Sequence, residues 1–359
     1  MKTRFSRLVT LLLVGALLIV GVTSITAQES ELGPITQAVL DRGSLICGGN
    51  ANVRGFGFLN DAGEYVGFDI DVCRAVAAAV LGDASAVDVR PLAGTERQAA
   101  IQSGQVDMMS RNTTWTLSRD VTWGAIFGPT TFFDGQGVGT RVELGVNSIA
   151  ELDGSSMCVQ AGTTTELNIG DYTAANSIDI SILTFPDANS TWDAYLSGAC
   201  ESWTTDKSGI ASFHISAPDP GEHMILPETI SKEPLGPLSP QNDPQFAEII
   251  AWTVFGLINA EEAGITSENI GDFLPADGEA DDAYIARVGP NVARILGQGN
   301  NDSGSYLGIA NDFMVNVISQ VGNYGEIYER NLTPIGLARA GSVNDLWTRG
   351  GLIYAPPFR

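Results

Sequence analysis

The sequence predicts an α/β protein of two lobes joined by two crossings of the chain. Three observations carry that expectation. Two stretches, one within residues 45–109 and one within 156–206, alternate short apolar strands with helical runs, a pattern that gives parallel sheets covered by helices on both faces. A glycine-rich segment, Phe132 to Arg141, lies between them. A proline-rich segment, Pro227 to Pro240, follows the second. These two segments read as the crossings.

The first residues stand outside the fold. Lys2, Arg4 and Arg7 precede an apolar run from Leu8 to Val22, and small and polar residues lead on to Ala27, the order of a secretory signal peptide. The run holds about 15 residues, short of the roughly 20 that a membrane helix needs. An uncleaved anchor is the competing reading. No cysteine lies near the cleavage region, which argues against a lipid anchor. The mature chain begins near Gln28 and is long enough for about two domains.

In the first lobe, Leu45–Cys47 reads as a strand and Tyr65–Phe68 as another. Asp69 precedes a helical run from Ile70 to Leu81 that Gly82 ends. Strand Val87–Pro91, helix Glu96–Gln102 stopped by Gly104, and strand Val106–Met109 follow. In the second lobe, strand Ser156–Gln160 leads to a helix from Thr164. Strand Ile178–Thr184, helix Ser190–Leu196 stopped by Gly198, and strand Glu201–Thr204 come next, and Asp206 opens another helix. Beyond the second crossing, Asp243–Ala263 places Phe246, Ile249, Ile250, Trp252, Thr253, Leu257 and Ile258 at helical spacing, a core-facing stripe. The expected boundaries are a signal peptide at 1–27, a first lobe of 28–138 with 232–359, and a second lobe of 139–231.

Charge excludes some partners. Of the 19 Lys and Arg residues, three lie in the signal segment; the other 16 face 42 Asp and Glu, a net charge of -26. Nucleic acid, which binds basic patches, is excluded on that balance, and an anionic membrane surface is disfavoured. Lysine is nearly absent after the signal, only Lys207 and Lys232 remaining. Four cysteines in an exported chain suggest two disulfides. Of three connectivities, Cys47–Cys73 with Cys158–Cys200 keeps each pair inside one lobe; four buried thiols are the alternative. Without a C-x-x-C pair, and with two histidines in all, no zinc site is expected, and no cofactor.

Gly135, Gly137 and Gly139 do not make a dinucleotide motif, which must follow a strand and open a helix; a hinge fits the extended surroundings. His214 and His223, the only histidines, read as surface or packing residues. The stronger constellation is Asp107 to Arg119. A strand ends near Ser110, hydroxyls cluster at Thr113, Thr114 and Thr116, and Thr116 caps a short helix that carries Arg119 in its first turn. Ligands bind open α/β sheets at such carboxyl ends of strands, and a planar guanidinium matches a carboxylate through two hydrogen bonds. A structural surface arginine is the plain alternative. In the second lobe, Gln160 to Glu166, with Thr163 and Thr164, joins a strand to a helix N-terminus whose N–H groups suit an anion. Asp206 ends a strand. It either receives an ammonium or merely caps the next helix. A zwitterion held between Arg119 and Asp206 fits both charges.

At this point the chain resembles the polar-amino-acid family of bacterial extracellular solute-binding proteins. Gly67–Val80 (GFDIDVCRAVAAAV) fits the family signature along its length. Arg111–Arg119 (RNTTWTLSR), Phe133–Gly137 (FDGQG), Lys232–Pro237 (KEPLGP), Gly322–Arg330 with Asn331 (GNYGEIYERN) and the tail Gly351–Arg359 (GLIYAPPFR) look like its general L-amino-acid-binding branch. The resemblance implies a two-lobed, type II periplasmic-binding-protein-like fold with a C-terminal helical extension. It implies that Arg119 grips an α-carboxylate, that Asn112 and Thr114 help hold the main-chain part, that Thr164 donates an N–H, and that Asp206 takes the α-ammonium. Asn50 to Phe56, with Phe68, lies where the family often encloses the ligand side chain. Some relatives carry lysine where this chain has Gln160.

The expected function is capture of free L-amino acids, of broad specificity, by a periplasmic monomer that serves the permease subunits of an ABC transporter. No catalysis is expected. Two alternatives remain on the same fold. A cyclohexadienyl (arogenate or prephenate) dehydratase would need a general acid, for which Glu166 is the only candidate noted. A receptor module would need an anchor and a signalling domain.

Overall fold

The computed structural model describes residues 32–359, which form one compact unit; the signal-peptide reading falls outside the described residues. Helix α1 (Pro34–Arg42) leads into β1 (Leu45–Gly49), a small hairpin layer of β2 (Asn52–Val53), β3 (Gly57–Leu59) and β4 (Tyr65–Val66), and helix α2 (Phe68–Leu81). Then come β5 (Val87–Pro91), α3 (Arg97–Gln102), β6 (Met108–Met109), α4 (Leu117–Thr122) and β7 (Ala125–Phe127). The first crossing is β8 (Phe132–Asp134). It feeds β9 (Gln136–Arg141), β10 (Ser156–Gln160), α5 (Thr164–Asn176), β11 (Ser181–Phe185), α6 (Ala188–Leu196), β12 (Ser202–Asp206), α7 (Lys207–His214) and β13 (His223–Ile225). The chain returns through β14 (Glu233–Leu235) to β15 (Leu238–Pro240) and the long α8 (Pro244–Glu262). Helices α9 (Asp281–Val288), α10 (Pro290–Ile295), α11 (Phe313–Val321) and α12 (Tyr324–Asn331) complete it.

Two five-stranded sheets, ordered β5-β1-β6-β15-β7 and β11-β10-β12-β9-β13, define two lobes. Neither sheet is purely parallel, as the strand–helix alternation had suggested. Strands β15 and β9 each enter their sheet antiparallel, because each arrives directly from a crossing without an intervening helix. The crossings pair with each other, Phe132 with Leu235 and Asp134 with Glu233. The glycines of this region permit close packing. A Cβ at Gly139 would strike the Trp203 indole, and one at Gly137 would lie 2.7 Å from Cγ of Lys207.

Local chemistry explains the element ends. Gly67, at φ 134°, turns the chain out of β4, so the expected strand Tyr65–Phe68 stops at Val66 and Phe68 begins the helix. Asp187 accepts the Ser190 N–H and Ser190 returns a bond, so α6 starts at Ala188, two residues before the expected start. Strand β11 starts only at Ser181, because the preceding Asp179 is held by turn contacts to Gly154 and Asp153. Two disulfides, Cys47–Cys73 and Cys158–Cys200, each tie a strand to its own lobe. The two histidines meet inside the second lobe, ring centroids 5.3 Å apart, with the Tyr195 hydroxyl on His223 Nδ1 at 2.7 Å. Burial there holds the His214 imidazole down at about 4.

The C-terminal segment is part of the first lobe's core. The predicted stripe of α8 is buried, Trp252 only half so, and it packs on Phe313, Met314, Val317 and Ile318 of α11. Asp71, on the signature helix α2, accepts from Arg330 at 2.8 Å and Asn331 at 2.7 Å. The segment also grips the first crossing. Asn344 accepts the Phe133 N–H at 2.7 Å and donates to its carbonyl at 2.9 Å, a side chain standing in for a neighbouring strand. Tyr324 donates to the Thr131 carbonyl at 2.7 Å, and Phe132 stacks on Tyr328. Replacing Asn344 with Ala strands both polar groups of Phe133. It should cost about 1–3 kcal/mol in urea unfolding with the m-value unchanged; a loss below about 0.5 kcal/mol would mean that the brace contributes nothing.

Candidate functional site

A cleft of about 660 Å³, its solvent mouth included, lies between the lobes. The carboxyl ends of strands supply its walls, with turns after β6 and β10 from opposite lobes facing each other. The lobes touch across it: Thr114 Oγ1 lies 3.3 Å from Thr164 Oγ1, and Arg97 donates to the Gly162 carbonyl at 3.3 Å. At the rim, Ser212 donates to the Arg54 carbonyl at 2.8 Å. The structure is therefore closed.

On the first-lobe side the chain bends at Asn112, whose φ of 41° is left-handed. Buried Asp69 holds that bend, accepting from Ser110 Oγ at 3.0 Å and from the Asn112 N–H at 2.9 Å. Burial pushes the Asp69 carboxyl up to about 6, against the pull of those donors and of Arg111. Asn50 donates to the Asn112 side chain at 2.5 Å. Thr116 accepts the Arg119 N–H, the cap expected from sequence. Arg119 backs the cleft wall: it donates to the Thr114 carbonyl at 3.0 Å and lies over the Trp123 ring at 5.1 Å. Its other guanidinium N–H groups have no acceptor among the described residues. Burial lowers its pKa, while Glu233 and Asp206 raise it.

On the second-lobe side Thr163 accepts the Glu166 N–H and Glu166 accepts the Gly162 N–H at 2.7 Å. The N–H groups of Thr164 and Thr165, in the first turn of α5, have no partner within the helix. Glu166 is thus a capping residue and does not line the cleft. Asp206 does line it. It occupies the N-cap position of α7, yet its side chain makes no cap bond, which removes the capping alternative. Its pKa is raised well above the ordinary carboxylate range, by burial first and then by Asp134 and Glu233, with Arg119 and Arg97 opposing.

The structure thus brings Asn50, Asn112, Thr114, Thr163, Thr164 and Asp206 to one cleft, with Arg119 directly behind it. It does not bring Phe56 and Phe68. Both are core residues, edge-on to Phe132 and, for Phe68, to Tyr324 and Tyr328. Phe68 opens α2, so its side chain enters the core beneath the helix. The apolar wall comes instead from Val53, Trp203 and Phe213. Sequence reasoning also missed Arg97 and Arg111 as lining residues. Arg111 stood inside a noted motif, but nothing local marked Arg97. Burial holds Arg111 down at about 10 and Arg97 well below its usual value; the Arg119 charge lowers both further, and Arg111 lowers Arg97.

A closed two-lobed cleft with cationic donors on one side and an unpaired carboxylate on the other defines a solute-binding protein. The chain belongs to family 3 of the bacterial extracellular solute-binding proteins, whose model matches residues 45–250. It is 45% identical over 325 residues, 89% of this chain and 91% of the relative, to the general L-amino acid-binding periplasmic protein AapJ of Rhizobium johnstonii. It is 42% identical over 343 residues, 94% and 98% of the two chains, to the glutamate/glutamine/aspartate/asparagine-binding protein BztA of Rhodobacter capsulatus. Among solved structures, a periplasmic binding protein of an ABC transporter from Brucella ovis with glutathione bound matches with a TM-score of 0.84 and 42% identity, over 90% of this chain and 99% of that one. These relatives are binding proteins, not enzymes, and nothing supports the dehydratase alternative.

Asp134 raises the pKa of Asp206, and its own carboxyl is pushed up to about 6 by burial. An ammonium ligand needs Asp206 ionised, so affinity should fall as pH drops through its raised pKa. Replacing Asp134 with Asn removes the like charge and should move that fall to lower pH. Calorimetric titrations from pH 4.5 to 8 check the sign; an unmoved or upward-moved profile would refute the coupling.

Proposed function

We propose that this protein captures free L-amino acids in the periplasm and delivers them to the permease subunits of an ABC uptake transporter, working as a monomer exported by its N-terminal signal segment. The observation that carries the reading is the Asp206 carboxylate, which faces the cleft with no donor among the described residues, across from the first-lobe guanidinium groups and on the same lobe as the helix N–H donors. An α-ammonium completes Asp206. An α-carboxylate takes the free N–H groups of Arg119, with those of Thr164 and Thr165 and with Arg97 nearby. Asn112 and Thr114 hold the main-chain atoms. Asn50, Val53, Trp203 and Phe213 meet the side chain.

Breadth follows from where the affinity resides. If the shared zwitterion supplies most of it, chemically different side chains bind with similar strength. The names of the relatives support a general L-amino-acid binder or one for acidic amino acids and their amides. Glutathione, bound by the Brucella ovis protein, carries a free α-amino acid end and belongs in the same test. Ligand binding favours closure because only the closed form contacts both lobes, and the transporter reads that closed shape.

The test is calorimetry on protein unfolded and refolded with its disulfides intact, to strip carried-over ligand. The panel contains L-amino acids of each side-chain class, glutathione, and sugars as controls. Saturable binding of several classes, and not of sugars, is expected. Binding of one amino acid alone removes breadth, and binding of none by folded protein removes the amino-acid reading. Arg119→Ala should weaken binding on the order of 100-fold. Near wild-type affinity in that variant, with a large loss in Arg97→Ala, would transfer the carboxylate to Arg97.

A further inference from the structure

Glu233 lies in the sequence motif Lys232–Pro237, on the returning crossing β14, and does not line the cleft. It is buried, and its two oxygens take three donors. Oε1 accepts from Ser231 Oγ at 2.5 Å and from Asn168 Nδ2 at 2.8 Å, and Oε2 accepts from Thr164 Oγ1 at 3.0 Å. Ser231 itself accepts the Gln136 N–H at 3.2 Å, so its own proton is free to go to Glu233. The Thr164 bond has a directional consequence. A hydroxyl carries one proton and two acceptor lone pairs. With its proton directed to a carboxylate, Thr164 Oγ1 is left only as an acceptor. Thr114 Oγ1, 3.3 Å away across the cleft, is therefore the donor in that contact.

We propose that Glu233 is a positioning residue: it fixes the Thr164 hydroxyl as a hydrogen-bond acceptor facing the cleft, and so selects ligands that present a donor there, the α-ammonium. The inference rests on the amino-acid reading above. It assigns the ammonium a second acceptor besides Asp206. Glu233→Gln keeps the shape and reverses the polarity. The amide oxygen retains Ser231 and Asn168, its NH2 group faces Thr164, and the Thr164 proton must turn toward the cleft and the incoming ammonium.

The experiment measures L-glutamine affinity by calorimetry in the wild type, Glu233→Gln, Thr164→Val, Thr164→Ser and the Glu233→Gln/Thr164→Val double variant, with thermal unfolding of each. Glu233→Gln and Thr164→Val should each bind about 10-fold more weakly. Thr164→Ser, which keeps the hydroxyl, should stay within about threefold of wild type. In the Thr164→Val background, Glu233→Gln should add less than about twofold, because its effect passes through the missing hydroxyl. An unchanged affinity in Glu233→Gln overturns the assignment. So does a full 10-fold loss in both backgrounds, which makes Glu233 a strut of the crossing only. If Glu233→Gln does not fold, the Thr164 pair decides: equal affinity for Val and Ser variants overturns it. Glutamine binding in the wild type with any of these results leaves the amino-acid reading intact, whereas a folded wild type that binds no panel member ends both.

Discussion

A buried strand must find a partner for every N–H and C=O group it carries, and on the returning crossing that requirement builds the ligand cleft. The Pro234 carbonyl accepts the Trp115 N–H at 2.8 Å, the Gly236 N–H reaches the Thr113 carbonyl, and Thr114 bridges to Leu235. The first-lobe turn is thereby laid along β14 as an extra strand. One residue earlier, Glu233 holds the first turn of α5 in the second lobe through Thr164 and Asn168. The same short strand so positions both faces of the cleft. Of the two hydroxyls that meet there, Thr164 bonds Glu233 directly, and Thr114 sits between Thr113 and Trp115, whose backbone groups bond the crossing.

Electrostatics around the cleft follow from burial. Arg97, Arg111 and Arg119 are all buried, and so are Asp69 and Glu233, while Asp134 is half-buried. Most of these groups have fixed partners: Arg111 donates to the Leu92 carbonyl, Arg97 donates to the Gly94 and Gly162 carbonyls, and Asp69 accepts from Ser110 and Asn112. Backbone carbonyls orient a guanidinium without neutralising it, so charge stays available toward the cleft. Asp206 stands apart as a carboxylate with no donor among the described residues. A group in that state raises the energy of the empty closed form, and a cationic ligand atom relieves it.

Much of this was legible in the chain, and the gaps have physical causes. The strands and helices expected within 45–109 and 156–206 follow in the observed order, because most of those helices start at a cap or stop close to a glycine. The direction of β9 and β15 was not legible, since local pattern encodes a strand's faces but not its neighbours. Cleft residues at strand ends, such as Thr164 and Asp206, could be found by position. Trp203 and Phe213 are core residues, and only tertiary placement also puts them on a cleft wall. Phe56 and Phe68 failed in the opposite sense. Phe68 was turned away from the site by the helix it begins, and Phe56, in the turn before β3, packs against Phe68 and Phe132. Asn344 had no local sign at all, because a side chain that imitates a strand is defined entirely by its partner.

The placement of the disulfides governs how the molecule comes apart. Cys47–Cys73 closes a loop of 26 residues' separation and Cys158–Cys200 one of 42, and neither loop contains a crossing. The only covalent paths between the lobes are therefore β8 and β14 with their flanking residues. Cutting both would free the second lobe as one internally cross-linked fragment. The first lobe would then survive as two chains held without a covalent bond, through the Asp71–Arg330 pair and the packing of α8 and α11 on α2. Oxidation state thus sets the integrity of each half and leaves the rotation between them unrestrained.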